Sequence, residues 1–414
     1  MERVLIVGNG YAGSQAAELL AGLGRFNVIR VSDEEHPAYC RHLLPELAAG
    51  ERNPVDLYLP AGNGGGQAVP VRCGSAVARL SPDARKAVLA SGEEIRFDKA
   101  LIATGARVFI PGKLRDMFGR CGNVRSMRRM EDALSLRGAL GRKGARVVIV
   151  GAGRIGVLLS EALKRSGARI TVVDIAPEIL PTMLQPDVAA KLRPHLESDG
   201  DLTVLAGRTV DRVVANGGNA EALHLSDGSL LPCDFVVLAT GVVPNTEFLE
   251  GDWGDRTDGI PVDSGLETRV PGVYAAGDVI RFATPTGKME PGQLILNARL
   301  QAEVAARNIA GDDASCPPLF VGNVVKIGPV LGAVAGDVGG EGHEDFRVGD
   351  SFLRVTMERS GMAGFQFVGR PGDLRGLVPG VLKRVDAAWL RRALCVPTGL
   401  GLVPPLLAEA WAWA

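Results

Sequence analysis

The chain has 414 residues, enough for two or three domains that each bury an apolar core. Apolar side chains make up 46% and charged ones 22%, the balance of an ordinary globular protein. A net charge of −1 offers no global attraction to nucleic acid or to an anionic membrane, and no apolar run reaches the ~20 residues that cross a bilayer.

From the start of the chain, the apolar run Val4–Val7 predicts a strand that leads directly into Gly8, Gly10 and Gly13. No signal-peptide pattern precedes it. Ala16, Ala17, Leu19, Leu20 and Leu23 follow at helical spacing, and Val28–Val31 predicts a second strand. Strand, tight glycine turn, helix and strand within this short span is a dinucleotide-binding unit. One glycine turns the chain, one lets backbone approach a pyrophosphate, and one lets the helix pack on the strand. The pyrophosphate then lies against free N–H groups at the helix N-terminus.

The same device recurs. Val147–Val150 leads into Gly151, Gly153 and Gly156; Leu158, Leu159, Ala162 and Leu163 predict a helix, and Ile170–Val173 a strand. Asp174 closes that strand, where a carboxylate can hold the two ribose hydroxyls of an adenosine. With 54 glycines, one such spacing is expected by chance about once. Two copies in full strand–turn–helix–strand context predict two bound dinucleotides.

Between and after these units lie Tyr39–Glu51 (YCRHLLPELAAGE), Asp98–Gly112 (DKALIATGARVFIPG), Cys233–Glu247 (CDFVVLATGVVPNTE) and Gly272–Val279 (GVYAAGDV). With both glycine turns, in this order, they resemble the pyridine nucleotide–disulfide oxidoreductase superfamily. Within it the chain is most similar to the rubredoxin-reductase branch, including the flavin half of NADH-dependent nitrite reductases.

The resemblance implies an α/β fold with two Rossmann-type domains and a small α+β C-terminal domain. An FAD domain would be split over residues 1–113 and 233–315, with an NAD domain, 114–232, inserted. A C-terminal domain would span 316–395, followed by an apolar tail, 396–414. FAD would be held by Gly8, Gly10, Gly13, Asp33, Arg41, Val77, Thr104, Gly105, Gly277 and Asp278. NAD(H) would be held by Gly151, Gly153, Arg154, Ile155, Gly156, Asp174 and Gly241.

The chain departs from the family pattern at several points. Ser32 stands where many relatives carry a ribose-binding acid, with Asp33 next. Leu158 replaces a glutamate of the G-x-G-x-I-G-L-E pattern, and Arg154 a bulky neutral residue. The ferredoxin-reductase lysine downstream of Tyr39 is replaced in the Pro45–Glu46 stretch.

The implied activity passes hydride from NADH to FAD and electrons onward to a redox protein such as rubredoxin or ferredoxin. Two alternatives are a NAD-coupling flavin subunit of a larger oxidoreductase and a flavin-binding protein without turnover. Six cysteines (Cys40, Cys73, Cys121, Cys233, Cys316, Cys395) include no C-x-x-C pair, which argues against a dithiol mechanism and for a reducing, cytoplasmic setting. Cys40 and His42 are the reactive candidates beside the flavin, both outweighed by ordinary packing roles. The other histidines, His36, His195, His224 and His343, form no ligand cluster, so no metal is expected.

From Lys113 to Arg146 ten basic residues face three acidic ones, a candidate docking face for an acidic carrier and more simply a solvated helix face. The tail after Cys395, with Trp411 and Trp413, fits self-docking or a partner subunit equally well. Homo-oligomerisation is compatible with all three readings.

Overall fold

The structure is a computed structural model and describes residues 1–60, 69–141, 143–198, 201–284, 287–319, 321–340, 342–359 and 361–371. Six α-helices are present among them: α1 (Tyr11–Gly22), α2 (Leu44–Ala48), α3 (Met130–Ala139), α4 (Arg154–Leu163), α5 (Pro186–Glu197) and α6 (Ile295–Ile309). No helix of the described residues is long and apolar enough to cross a membrane. The chain folds as two compact units. Among the described residues, the first is made of Met1–Cys40, Pro54–Arg107 and Val242–Phe320; the second of Arg41–Asn53, Val108–Gly241 and those from Val321 on.

The first unit is built on a five-stranded parallel sheet in the order Val273–Ala275, Lys99–Ile102, Glu2–Val7, Phe26–Val31, Val71–Arg72. Its central strand is apolar on both faces, and Val4, Leu5 and Ile6 are fully buried, as a parallel sheet covered on both sides requires. Helices α1 and α6 pack on each other, each burying small residues: Ala12, Gly13, Ala16 and Ala17 on one, Ala298, Ala302, Ala305 and Ala306 on the other. Small side chains let the helix axes approach.

The second unit repeats the plan. Its parallel sheet runs Leu202–Ala206, Arg169–Asp174, Arg146–Val150, Phe235–Leu238, Val124–Ser126. A five-stranded antiparallel sheet follows, in the order Gly322–Ile327, Val330–Gly336, Gly361–Gly369, Ser351–Glu358, His343–Val348. Helix α5 packs on this second sheet. Gly332 is the reason it fits, since a Cβ there would stand 2.5 Å from a Leu192 methyl. Beside that contact, Arg354 is 6% exposed. Its Nε and Nη2 donate to the two Asp345 oxygens, both at 2.8 Å, and its Nη1 to Gln185 Oε1 at 2.7 Å and Asp187 Oδ1 at 2.8 Å.

The boundaries differ from those expected. Phe235–Leu238, placed by the sequence in the returning half of the split domain, pairs with Arg146–Val150 in register Val147↔Phe235, so the crossing falls at 241–242. The reason is the repeat itself. Each Rossmann sheet is completed by a strand running into an Ala-Thr-Gly turn, Lys99–Ile102 in one and Phe235–Leu238 in the other. Residues 41–53 also group with the second unit, because α2 buries Leu44 and Leu47 completely while packing on α3 and α4. The C-terminal sheet groups with the same unit. The tail 396–414 lies outside the described residues.

Candidate functional site

Each unit contains the same glycine device, in nearly the same geometry. In the first, Gly8 has φ +116° and its N–H donates to Val31 O at 2.9 Å; in the second, Gly151 has φ +113° and donates to Val173 O at 2.8 Å. A Cβ on Gly8 would lie 2.1 Å from Ala103 O, and one on Gly151 2.3 Å from Ala239 O. On Gly13 it would lie 2.2 Å from Gly8 O, and on Gly156 1.9 Å from Gly151 O. These four glycines are required by packing inside the protein.

The middle glycines behave differently. A Cβ on Gly10 or Gly153 would meet nothing within 4 Å. Gly10 and Gly153 are also the N-caps of α1 and α4, and neither offers a side chain to the first-turn N–H groups. Both turns therefore combine free space with a helix end that no side chain caps and the positive end of a helix dipole, the requirements of a dinucleotide pyrophosphate. The residues present fit the group.

In the first unit Thr104 and Gly277 lie near this turn. Thr104 Oγ1 donates to Asn245 O at 2.8 Å, Asn245 Nδ2 to Thr104 O at 2.9 Å, and Asn245 N to Gly105 O at 3.0 Å. Gly105, at φ +64°, is thus tied to the segment after the second Ala-Thr-Gly turn. Asn245 was missed by the sequence reading, although its signal was present as the polar residue closing VVPN. Gly277, at φ +83°, lies against the first turn of α1, a Cβ there standing 3.4 Å from Ala12 Cβ. Asp278 follows it, half-buried.

At the strand ends the registers give an internal comparison. Asp174 follows Val173 as Ser32 follows Val31, so Ser32 occupies in the first unit the place that Asp174 has in the second. Asp33 is one residue further and exposed, while Ser32 is buried with its Oγ accepting from Glu34 N at 3.2 Å. Ser75 N donates to Ser32 O at 2.6 Å, which brings the strand opened by half-buried Val77 to the same end of the sheet. Cys40 is half-buried, its N–H bonded to Leu57 O at 2.8 Å.

In the second unit Asp174 accepts from Ala152 N at 2.5 Å and Ala176 N at 2.7 Å, which locks the carboxylate beside the turn. Arg208, also missed from the sequence, donates its N–H to Asp174 O at 2.8 Å, but its guanidinium is paired with Asp227 at 2.8 Å. Gly241 repeats Gly105: φ is +95° and its carbonyl accepts from Phe109 N at 2.9 Å. Arg154 and Ile155 form the first turn of α4, with Arg154 bonded to Asn323 of the antiparallel sheet.

Arg41 and His42 belong to this unit, and Arg41 Nη1 donates to Arg128 O at 2.8 Å. Burial lowers the pKa of His42; Glu46 opposes the shift, and Arg52 and Arg154 add to it, so the ring favours its neutral form. From Lys113 to Arg146 several of the cations are engaged. Lys113 pairs with Asp211, Arg146 with Asp234, and Arg137 donates to Arg52 O, which favours the solvated-face reading over a docking face.

The five described cysteines are free. Burial pushes the thiols of Cys233 and Cys316 up to about 11, away from nucleophilic thiolate. No group of metal-ligating side chains is present among the described residues.

Residues 2–302 match the family model described as pyridine nucleotide-disulphide oxidoreductase. The chain is 29% identical over 373 residues to an NADH oxidase of Methanocaldococcus jannaschii, covering 86% of this chain and 80% of that one. It is 30% identical over 312 residues to the epsilon subunit of an NADH-dependent phenylglyoxylate dehydrogenase of Aromatoleum evansii, covering 73% and 72%. Its fold matches the covalent putidaredoxin reductase–putidaredoxin complex with a TM-score of 0.84, at 22% identity and 99% coverage of both chains. The chain belongs to the pyridine nucleotide–disulphide oxidoreductase family, and it is an oxidoreductase that uses FAD and NAD(H).

Proposed function

We propose that FAD occupies the glycine turn of the first unit, NAD(H) that of the second, and that electrons leave to a small redox protein. The observation that supports this best is the pair of middle glycines, Gly10 and Gly153, with empty space above two uncapped helix ends. Gly8, Gly10 and Gly13 would accommodate the pyrophosphate of FAD, and Asp278 would accept hydrogen bonds from the ribityl hydroxyls. Thr104 and Gly105 would close over the nucleotide. Val77 would offer backbone to the adenine, and Asp33 the nearest exposed carboxylate to the ribose. Arg41 stays a candidate contact carried over from the family pattern. FAD, when bound, would supply the redox chemistry that links NADH to the electron acceptor.

In the second unit Gly151, Gly153, Ile155 and Gly156 would shape the nucleotide turn, and Gly241 would close over it. Arg154 would add a cation at the pyrophosphate. Among the described residues no side chain is assigned the role of an essential acid or base. The lack of a C-x-x-C pair supports turnover without protein sulfur, and five free cysteines suit a reducing cytoplasm. A redox-protein acceptor is favoured by the putidaredoxin complex among the fold's neighbours; the subunit relative supports assembly in a larger oxidoreductase as the second reading. The test is reoxidation of the NADH-reduced enzyme. A small iron–sulfur protein should reoxidise it far faster than dioxygen does, and the reverse order would assign it as an oxidase.

Asp174 gives the nucleotide preference. Its carboxylate is held by two backbone N–H groups, where it would face the adenosine ribose, and the neighbouring Arg208 is committed to Asp227. A 2′-phosphate placed there should be disfavoured by about 1–3 kcal/mol, or ~10- to 100-fold in favour of NADH. Asp174→Asn removes the charge and keeps one acceptor oxygen, for one of the two backbone donors. It should bring kcat/KM for NADPH to within a few-fold of that for NADH, and an unchanged ratio would place the discrimination elsewhere.

A further inference from the structure

We propose that Gln301 is a positioning residue for the flavin nucleotide: it holds the Gly277–Asp278 turn and keeps an amide donor for a group that arrives with FAD. The inference rests on the assignment of that turn to FAD. Gln301 lies on the buried face of α6 among Ala298, Ala302 and Ala305, and it is 0% exposed. A glutamine amide in such a setting is unfavourable unless hydrogen-bonded at both ends. Only one end is bonded within the protein. Oε1 accepts from Gly277 N at 2.8 Å, while Nε2 has no partner among the described residues.

The Gly277 donor dictates which way the amide is turned, because reversing it would set two donors against each other. The oxygen therefore faces the Gly277 N–H, and the N–H₂ is the end without a partner among the described residues. Gly277 itself is left-handed, at φ +83°, a conformation that glycine adopts without a Cβ penalty. It is held between the Gln301 carboxamide and Ala12 in the first turn of α1, the helix whose uncapped end forms the glycine turn. One side chain thus links the residue before Asp278 to the helix pair that frames the site. The remaining donor suits an oxygen-rich ligand, a phosphate or ribityl oxygen reached directly or through one water.

Two substitutions in the holoenzyme separate the parts of this role. Gln301→Met keeps the length and removes both hydrogen-bonding atoms. Gln301→Glu keeps the acceptor for Gly277 and removes the donor. FAD release on dilution, followed by the recovery of flavin fluorescence, should be at least ~10-fold faster in Gln301→Met, with Gln301→Glu between it and the wild type. In Gln301→Glu alone, release should slow as the pH falls, because a protonated carboxyl regains a donor.

Release at the wild-type rate in both variants, with a lower melting temperature in excess FAD, would show that Gln301 only fills α6, and would overturn the proposal. Asp278→Ala separates this from a failure of the site assignment. If Asp278→Ala also leaves FAD release unchanged, the turn is not the flavin site and both readings fall. If Asp278→Ala releases FAD quickly and the Gln301 variants do not, only the inference about Gln301 is lost.

Discussion

Gly156→Ala should lower kcat/KM for NADH at least ~100-fold while FAD stays bound, whereas Gly153→Ala should leave the fold untouched and weaken only the nucleotide. The two residues are three positions apart and differ in what surrounds them. A methyl on Gly156 would be driven to 1.9 Å from Gly151 O, so α4 must move off the turn that it caps. That displacement removes the alignment of first-turn N–H groups on which pyrophosphate binding depends. A methyl on Gly153 meets no protein atom within 4 Å and sits at an ordinary φ of −70°. Its only conflict is with a phosphate approaching the backbone, so KM for NADH should rise about 10-fold with the melting temperature changed by no more than about 2 °C. Steady-state kinetics with a dye acceptor, alongside flavin content, read both outcomes. A Gly153→Ala enzyme with unaltered KM would remove the nucleotide from this turn.

Arg354→Met should destabilise the second unit by about 2–4 kcal/mol, seen as a fall of roughly 4–16 °C in melting temperature. The guanidinium is 8% exposed in its side chain and bridges Asp345, Asp187 and Gln185, tying the antiparallel sheet to the start of α5. Removing it leaves two carboxylates facing a vacated site. The loss stays below that of a fully buried pair because the side chains of Asp187 and Asp345 are 60% and 42% exposed.

The pH dependence has a definite sign. The hydrogen bonds from Arg354 hold both aspartates below their ordinary value. Groups with depressed folded-state pKa values stabilise the fold above the unfolded value of about 3.9, and lose that contribution as the pH falls through the folded values. The gap between wild type and Arg354→Met should therefore be full at neutral pH and close in acid. A gap that widened in acid would assign the destabilisation to something other than these pairs.

What the sequence could convey about this protein was local. Gly8–Gly13 and Gly151–Gly156 were legible because a strand, a glycine turn and a helix are specified by neighbours in the chain, and the periodicity of the apolar residues marks each element. The Ala-Thr-Gly turns at Thr104–Gly105 and Gly241 were legible as family pattern, but the bonds that make them turns are not local. Asn245 reaches Thr104 across 141 residues, and Gln301 reaches Gly277 across 24. Arg354 reaches Gln185 across 169 residues and had no signal at all in the sequence.

The compact units divide the chain elsewhere than the expected boundaries for the same reason. Phe235–Leu238 reads as a buried strand from its composition, and nothing in those four residues says which sheet it completes. The segment 41–53 carries a pattern that resembles flavin-site residues, yet its apolar Leu44 and Leu47 are buried against α3 and α4 in the other unit. Ser32 is the instructive case. The strand register puts it level with Asp174, so the acid that the first turn lacks is visible as a substitution within the internal repeat.

The central claim is that two nucleotides, FAD and NADH, meet functionally in one chain without the help of protein sulfur. Anaerobic mixing of the purified protein with NADH in a stopped-flow instrument tests this directly, by following the flavin absorption band through a single turnover. The account predicts full and rapid bleaching by NADH, the same rate in Cys40→Ser, and a much slower rate with NADPH at low concentration. A protein that bound FAD yet was not bleached by NADH, or one whose bleaching was lost in Cys40→Ser, would contradict it.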